Sequence, residues 1–252
     1  MKKLLNIIYE ENYSDICSLN MYLPDVGTPF PVFIHFHGGG LENGSKDDVA
    51  DLLNITSKGI ALVSAGYRKY PDAVYPEFIE DVAKAIAFVK EYGEKHNLFS
   101  SIYVGGTSAG AYLAMMNYFD TSYLGRYGFL PDSIDGWVFN SGQTTVHFNV
   151  LRERGVDTRL VRIDDAAPIY FIDHDMDFSN HSRLLFIVAE NDMVNRLEQN
   201  RLLLKTMEHF NYDMSKVSYK FMNGYGHCNY PIAEIIKKFI ITGELIRSNA
   251  NI

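Results

Sequence analysis

The sequence predicts an α/β domain built on a mostly parallel central sheet of about eight strands with helices on both faces, and three observations carry that expectation. Short apolar runs, each too short for a helix, recur along the 252 residues. Helical patterns lie between most of them, which is what a parallel sheet requires, since a parallel neighbour is reached only through a crossover. Hydrophobic residues make up 47% and charged residues 21%, with 19 Gly and 8 Pro, so a sizeable core is available and disorder or low complexity is disfavoured. One domain over 1–252 fits this length.

In chain order, 4–9 and 16–23 are β-rich and are separated by polar 10–15, a hairpin-like opening. Buried-strand runs follow at 32–36, 60–65, 102–104, 137–139, 184–189 and 217–222. Ser45 is placed to cap a helix bearing Val49, Leu52 and Leu53, with Gly59 as its left-handed stop. A clearer helix starts with Pro76 and repeats Ile79, Val82, Ala83, Ile86 and Val89 on one face, with Glu80 and Lys84 paired at i,i+4. Further helices are expected after Ser108, at 195–210 and at 231–241. The least regular stretch, 141–181, carries Phe148, Leu151, Val156, Ile169, Tyr170 and Phe171. It reads as a small cap over a pocket or as a peripheral helix pair packed on the sheet.

Charge and cysteine usage narrow the function classes. With 23 Lys and Arg against 31 Asp and Glu the formal charge is −8, the wrong sign for gripping a phosphate backbone, so no nucleic-acid partner is expected. Cys17 and Cys228 are too few for a disulfide framework, which points to a reducing compartment. Glu10 and Glu11 interrupt the apolar opening before it reaches the length of a signal peptide's core, and no later window suits a membrane span. A cytoplasmic protein without a membrane partner is the expectation.

The chemistry lies in two glycine-rich motifs. Gly106-Thr107-Ser108-Ala109-Gly110 is a G-x-S-x-G between an apolar strand and a helix-forming run, the context a nucleophile elbow needs: a strand, a sharp turn, small flanking residues and a helix. His37-Gly38-Gly39-Gly40 follows the strand at 32–36 and so lies at the C-terminal edge of the sheet, where ligands bind. Its glycines free backbone N–H groups, and such donors stabilise the negative oxygen of a tetrahedral acyl intermediate. Gly39, Gly40 and Ala109 are the expected oxyanion-hole donors.

With these motifs in place, the chain resembles the α/β-hydrolase superfamily, and within it the small HGGG-type esterase branch that includes hormone-sensitive-lipase-like carboxylesterases and kynurenine-formamidase-like enzymes. The resemblance covers nearly the whole chain. Besides HGGG and GTSAG it includes YRKYPDAVYPEFIEDVAKAIAFVKEYG, whose Arg68 and Asp81 it implies to be a structural ion pair. It places the nucleophile on Ser108 and the oxyanion donors on Gly39, Gly40 and Ala109. Formamidases typically carry an aromatic residue after the paired glycines, where this chain has Gly40-Leu41.

A serine hydroxyl needs a base within hydrogen-bond reach and an acid to hold that base in its tautomer. In this fold they follow in the order Ser, Asp or Glu, His, on loops after the last strands. His227, in the turn-rich NGYGHCNYP after the strand at 217–222, is the expected base. Asp192, after the strand at 184–189, is the expected acid, with Glu190 two residues away as its rival. His35 and His37 alternate along a strand, but no carboxylate or cysteine completes a ligand set, so both are expected to be hydrogen-bonded in the scaffold and no metal or cofactor is called for. Cys228 reads as a packing residue. Arg152, Arg154, Arg159 and Arg162 lie among Glu153, Asp157, Asp164 and Asp165 and read as a mutually paired helical face. Together these readings predict a serine carboxylesterase acting on small soluble short-chain acyl esters. An arylformamidase or acetyl-sugar esterase with the same triad, and a non-catalytic binding member of the fold, are the alternatives. The partner is a small-molecule ester, and a homo-oligomer is left open.

Overall fold

The structure, a computed structural model, describes residues 1–173 and 182–247. Each apolar run forms a strand: β1 (Lys2–Ile8), β2 (Ser18–Leu23), β3 (Phe30–Phe36), β4 (Ala61–Ala65), β5 (Phe99–Thr107), β6 (Gly136–Asn140), β7 (Arg183–Asn191) and β8 (Val217–Gly226). They make one sheet in the order β1-β2-β4-β3-β5-β6-β7-β8. The opening hairpin β1–β2 and the β2–β4 pair are antiparallel, and every other pair is parallel. The parallel strands β3, β4 and β6 are buried almost throughout, as expected of strands covered on both faces.

The helices α1 (Glu77–His96) and α2 (Ala109–Phe119) cover one face, where Ile34, Val63, Val104, Trp137 and Phe139 meet Ile79, Val82, Leu113 and Met116. A short helix α3 (Ser122–Gly125) follows, then α4 (Phe148–Glu153), and Leu203 and Met207 of α5 (Arg196–His209) join the same core. On the other face Phe33, Leu62, Val138 and Ile187 pack against Leu52, Ile55 and the Ile236 and Phe239 side chains of α6 (Ile232–Thr242). All eleven residues of α2 are buried, so the helix after Ser108 is held on every side. At the start of α1, Arg68 grips Asp81 in the ion pair the resemblance implied, with Nη2–Oδ1 at 2.8 Å, Nε–Oδ2 at 2.9 Å and the Arg68 backbone N–H on Oδ2 at 2.9 Å.

Topology decides where chemistry can happen. From β3 the chain moves to β4 on one side, and from β4 it crosses through α1 to β5 on the other, so β3 and β5 are neighbours whose following loops diverge. A crevice opens at such a switch point. The HGGG loop leaves β3 and the GTSAG turn leaves β5, with Phe36 registered on Gly106.

Four local expectations are corrected. No helix forms at Ser45. Asp48 accepts the Ser45 N–H at 2.8 Å, the Ser45 hydroxyl accepts the Asp47 N–H at 3.1 Å, and Asp47 takes Asn20 Nδ2 at 2.8 Å, bonds that favour turns over helix. A 3-10 turn over Leu53–Lys58 is what remains, closed by Gly59 at φ 81° as expected. Glu80 and Lys84 do not pair with each other. Lys84 reaches Glu10 and Glu80 takes Arg126 at 2.6 Å, because partners brought in by the fold lie on that face. Pro76 stands at the cap position, just before the helix. The arginine-rich stretch is paired, Arg154 with Asp164 at 2.7 Å and Arg159 with Asp157 at 2.6 Å, but not on a helical face, since α4 ends at Glu153.

Of the 141–181 segment, 174–181 lies outside the described residues. The rest is tied to the HGGG loop. Asn149 Nδ2 donates to the Gly40 carbonyl, Arg152 pairs with Glu42, and Tyr112 of α2 donates to the Ala166 carbonyl at 2.9 Å.

Candidate active site

Ser108 sits between β5 and α2 with φ 55° and ψ −111°, a region that costs any residue with a Cβ. Two glycines make the turn possible. A Cβ on Gly110 would lie 2.0 Å from the Phe36 carbonyl oxygen, and one on Gly106 would lie 2.2 Å from the Gly110 carbonyl carbon. The Ser108 N–H is anchored on the Asn140 carbonyl at 2.8 Å and its own carbonyl accepts the Tyr112 N–H at 3.1 Å, so the strained residue is locked at both ends.

The ends of β7 and β8 bring the other two residues to it. His227 follows Gly226 directly, and its Nε2 lies 2.9 Å from Ser108 Oγ while its Nδ1 lies 2.5 Å from Asp192 Oδ1. Asp192 follows β7 at Asn191, with its side chain only 1% exposed against 28% for His227. Glu190 does not reach His227. It accepts the Gly224 N–H at 2.7 Å and braces the end of β8.

The HGGG loop is held as firmly. Tyr67 donates to the His37 carbonyl at 2.8 Å and its ring stacks on the His37 imidazole at 4.4 Å; His37 Nδ1 lies 2.7 Å from the Gly38 carbonyl oxygen. Gly39 at φ 111° and Gly40 at φ 67° take conformations that favour glycine, and the Gly39 carbonyl accepts the Glu42 and Asn43 N–H groups at 3.1 and 2.9 Å. A Cβ on Gly38 would lie 3.4 Å from Ser108 Cβ, which measures how closely this loop approaches the elbow. Ala109, at the first position of α2, carries one of the N–H groups a helix start leaves without an intrahelical acceptor.

His35 and His37 serve the scaffold. His35 Nε2 lies 3.2 Å from Thr107 Oγ1, and burial pushes His35 down to about 3 and His37 to about 4, so both are neutral. Among the described residues no group of three or more His, Cys, Asp or Glu is arranged to hold a metal ion, and no helix is long and apolar enough to cross a membrane. Burial works against a charged His227, but the hydrogen bond to Asp192 and the contacts with Cys228 outweigh it and raise its pKa to about 9. Burial likewise opposes a charged Asp192, and the hydrogen bonds from His227, Ser141 and the Met193 N–H bring it below the usual value. Cys228 does not point away as an extended loop would place it. Its φ of 56° folds it back, with Sγ 3.6 Å from His227 Nε2.

Sequence reasoning missed the second layer. Ser141, at the C-terminal end of β6, donates to Asp192 Oδ2 at 2.7 Å, and Tyr230 lies 2.9 Å from Ser141 Oγ. The signal available was position alone, since Ser141 follows a core strand on the same sheet edge as Ser108. Beside the elbow a cavity of about 300 Å³ is lined by His35, His37, Gly38, Thr107, Asn140 and Cys228 among others.

The family BD-FAE matches residues 19–150, just over half of the chain. Over 115 residues the chain is 31% identical to the kynurenine formamidase of Danio rerio, a match covering 45% of this chain and 38% of that protein. The chain thus spans well under half the length of that relative. Among solved structures, a truncated carbohydrate esterase from gut microbiota superposes with a TM-score of 0.75 at 20% identity, covering 96% of both chains. Esterase B from Lactobacillus rhamnosis superposes with a TM-score of 0.75 at 17% identity, over 96% of this chain and 84% of that one. Likeness at such identity speaks for the fold, which is that of the α/β hydrolases.

Proposed function

We propose, from the premise that the chain belongs to the BD-FAE family, an α/β-hydrolase esterase family, that it is a serine carboxylesterase acting on small short-chain acyl esters. The observation that carries this reading is the unbroken chain from Ser108 Oγ through His227 to Asp192, at 2.9 and 2.5 Å. Ser108 Oγ attacks the ester carbonyl carbon while His227 Nε2 takes its proton, and Asp192 holds the imidazole by its Nδ1–H. The carbonyl electrons pass to the oxygen, where the N–H groups of Gly39, Gly40 and Ala109 stabilise the charge. Collapse expels the alcohol, which takes the proton back from His227. Water, deprotonated by the same nitrogen, then attacks the acyl-enzyme, releasing the acid and restoring Ser108. The described residues 141–173, with the short helix α4 and a 3-10 turn over Pro168–Phe171 and with Asn149 bonded to the Gly40 carbonyl, act as a small cap, which suits small acyl groups. Two free cysteines suit a reducing, cytoplasmic setting.

The 31% identity to a kynurenine formamidase favours a second reading, in which the same residues attack an aryl formamide. Parallel assays of p-nitrophenyl acetate, p-nitrophenyl butyrate and N-formylkynurenine separate the two. The esters are expected to give the higher kcat/KM. Turnover of the formamide alone would reverse the assignment, and turnover of none would mean a binding protein.

His227 accepts a proton only when neutral, and its pKa is raised to about 9. Ester kcat/KM is therefore expected to climb as pH rises from 6, to reach half its maximum near 9 and to level off only above it. A profile already flat across pH 6–8 would contradict the ion-paired His227.

A further inference from the structure

We infer that Ser141, Tyr230, Asn140, Thr107 and His35 form a one-way hydrogen-bond chain that ends on Asp192, which makes Ser141 and Tyr230 positioning residues for the acid of the triad. The inference rests on the esterase reading only for its kinetic consequence.

The contacts run without a gap from the triad into the sheet. Ser141 Oγ lies 2.7 Å from Asp192 Oδ2 and 2.9 Å from the Tyr230 hydroxyl. That hydroxyl lies 2.5 Å from the amide atom placed as Asn140 Oδ1, and the atom placed as Nδ2 lies 3.3 Å from Thr107 Oγ1, itself 3.2 Å from His35 Nε2. Ser141, Asn140 and His35 are almost wholly buried and Tyr230 is 8% exposed, while Thr107 is half-buried beside the cavity.

Counting protons orients every link. An ionised Asp192 only accepts, so the single Ser141 hydroxyl proton goes to it. Ser141 Oγ then accepts from Tyr230, which burial keeps firmly protonated. With its one proton spent, the Tyr230 oxygen needs a donor from Asn140, so the proton count turns this amide end for end from its placement, nitrogen toward Tyr230. The amide oxygen therefore faces Thr107 and takes its proton; the oxygen and nitrogen of an amide are assigned by the network around them. Thr107 Oγ1 accepts in turn from His35 Nε2–H. His35, being neutral, has its only proton there, which leaves Nδ1 bare, and Nδ1 is a buried atom with no hydrogen-bond partner. The opposite orientation of Asn140 would set the Ser141 and Tyr230 oxygens 2.9 Å apart with no proton between them.

Two further features show what holds the chain's last link. Ser141 has φ 53°, a conformation that costs a residue bearing a Cβ, and is kept there by its N–H on the Ile187 carbonyl at 2.7 Å and by Arg196 Nη1 on its own carbonyl at 2.6 Å. Arg196 is 3% exposed, and its charge and that of Asp192 favour one another across Ser141. Each donor in a chain polarises the next, so the hydroxyl that meets Asp192 is a stronger donor than an isolated serine. It fixes Oδ2 and leaves Oδ1 aimed at His227.

Ser141→Ala keeps the backbone cost at φ 53° unchanged and removes only the hydroxyl, while Tyr230→Phe keeps the ring. Steady-state kinetics of the full chain on p-nitrophenyl butyrate are read together with two NMR signals that need no substrate: the low-field proton of His227 Nδ1–H and the 15N shifts of His35. The expected result is a fall in kcat of about tenfold in each variant with KM within about twofold, a displaced His227 resonance in both, and a bare Nδ1 on wild-type His35. Tyr230→Phe decides alone if Ser141→Ala fails to fold. A wild-type kcat with an unmoved resonance overturns the inference, as does a proton on His35 Nδ1. A wild type that shows the NMR signals and hydrolyses no ester defeats the esterase reading and leaves the chain of bonds standing.

Discussion

Ser108→Ala is expected to lower kcat for p-nitrophenyl butyrate by about 10⁴-fold or more, because the proposed mechanism loses its nucleophile while its oxyanion donors retain a residual advantage over water. The fold should survive. Alanine meets the same backbone cost at φ 55°, keeps the Cβ that packs near Gly38, and leaves intact the Ser108 N–H bond to Asn140, since that bond belongs to the backbone. Rate measurement beside a thermal melt checks both halves. Retention of more than about a hundredth of the wild-type rate would point to another nucleophile on His227. Cys228 would be the first to replace by serine, since its sulfur lies 3.6 Å from His227 Nε2.

Arg68→Met should carry the largest cost to stability, about 3–5 kcal/mol in urea unfolding. Asp81 is buried and its carboxylate is held by three bonds from Arg68, one of them from the backbone, with Cys17 Sγ a further neighbour at 3.5 Å. Methionine fills similar volume but leaves the buried carboxylate with only the residue-68 backbone N–H and the weak Cys17 thiol as donors. The Arg68 guanidinium also spans Glu77 at 3.0 Å and stacks 4.1 Å over the Tyr13 ring, so the loss spreads to the start of α1 and to the turn after β1. Replacing both partners, Arg68→Met with Asp81→Leu, should recover most of the loss, since an apolar pair of similar shape has no charge to strand. A double variant as unstable as the single would mean that packing around Arg68, not its charge, sets the cost.

The sheet was legible because a buried parallel strand reads as a short apolar run whatever surrounds it. Strand ends were not. The run at 102–104 is the apolar centre of β5, which extends over Phe99–Thr107 through Ser100, Ser101, Gly105 and Gly106. Ser101, Gly105 and Gly106 are extended because β3 pairs with them, and β6 with the two glycines, and Gly105 is required because a Cβ there would lie 2.4 Å from the Val138 carbonyl oxygen. The helix expected at Ser45 shows the converse, where local capping signals were real but their side chains were used to build turns and to hold Asn20.

What the amino-acid sequence by itself determined is the chemistry that lies in contiguous residues: the small residues that let Ser108 turn sharply, the glycines after His37, and a histidine directly behind the last strand. Backbone sterics dictate these locally. The tertiary structure alone set Asp192 rather than Glu190 against His227, sent Lys84 to Glu10, and lined up Ser141 and Tyr230 behind Asp192. Those bonds, with that of His227 to Ser108, join residues from 34 to 119 positions apart. No local pattern encodes them, because only the parallel register of β5, β6, β7 and β8 brings their C-terminal ends to one edge, where a side chain's partner is whatever the neighbouring strand presents.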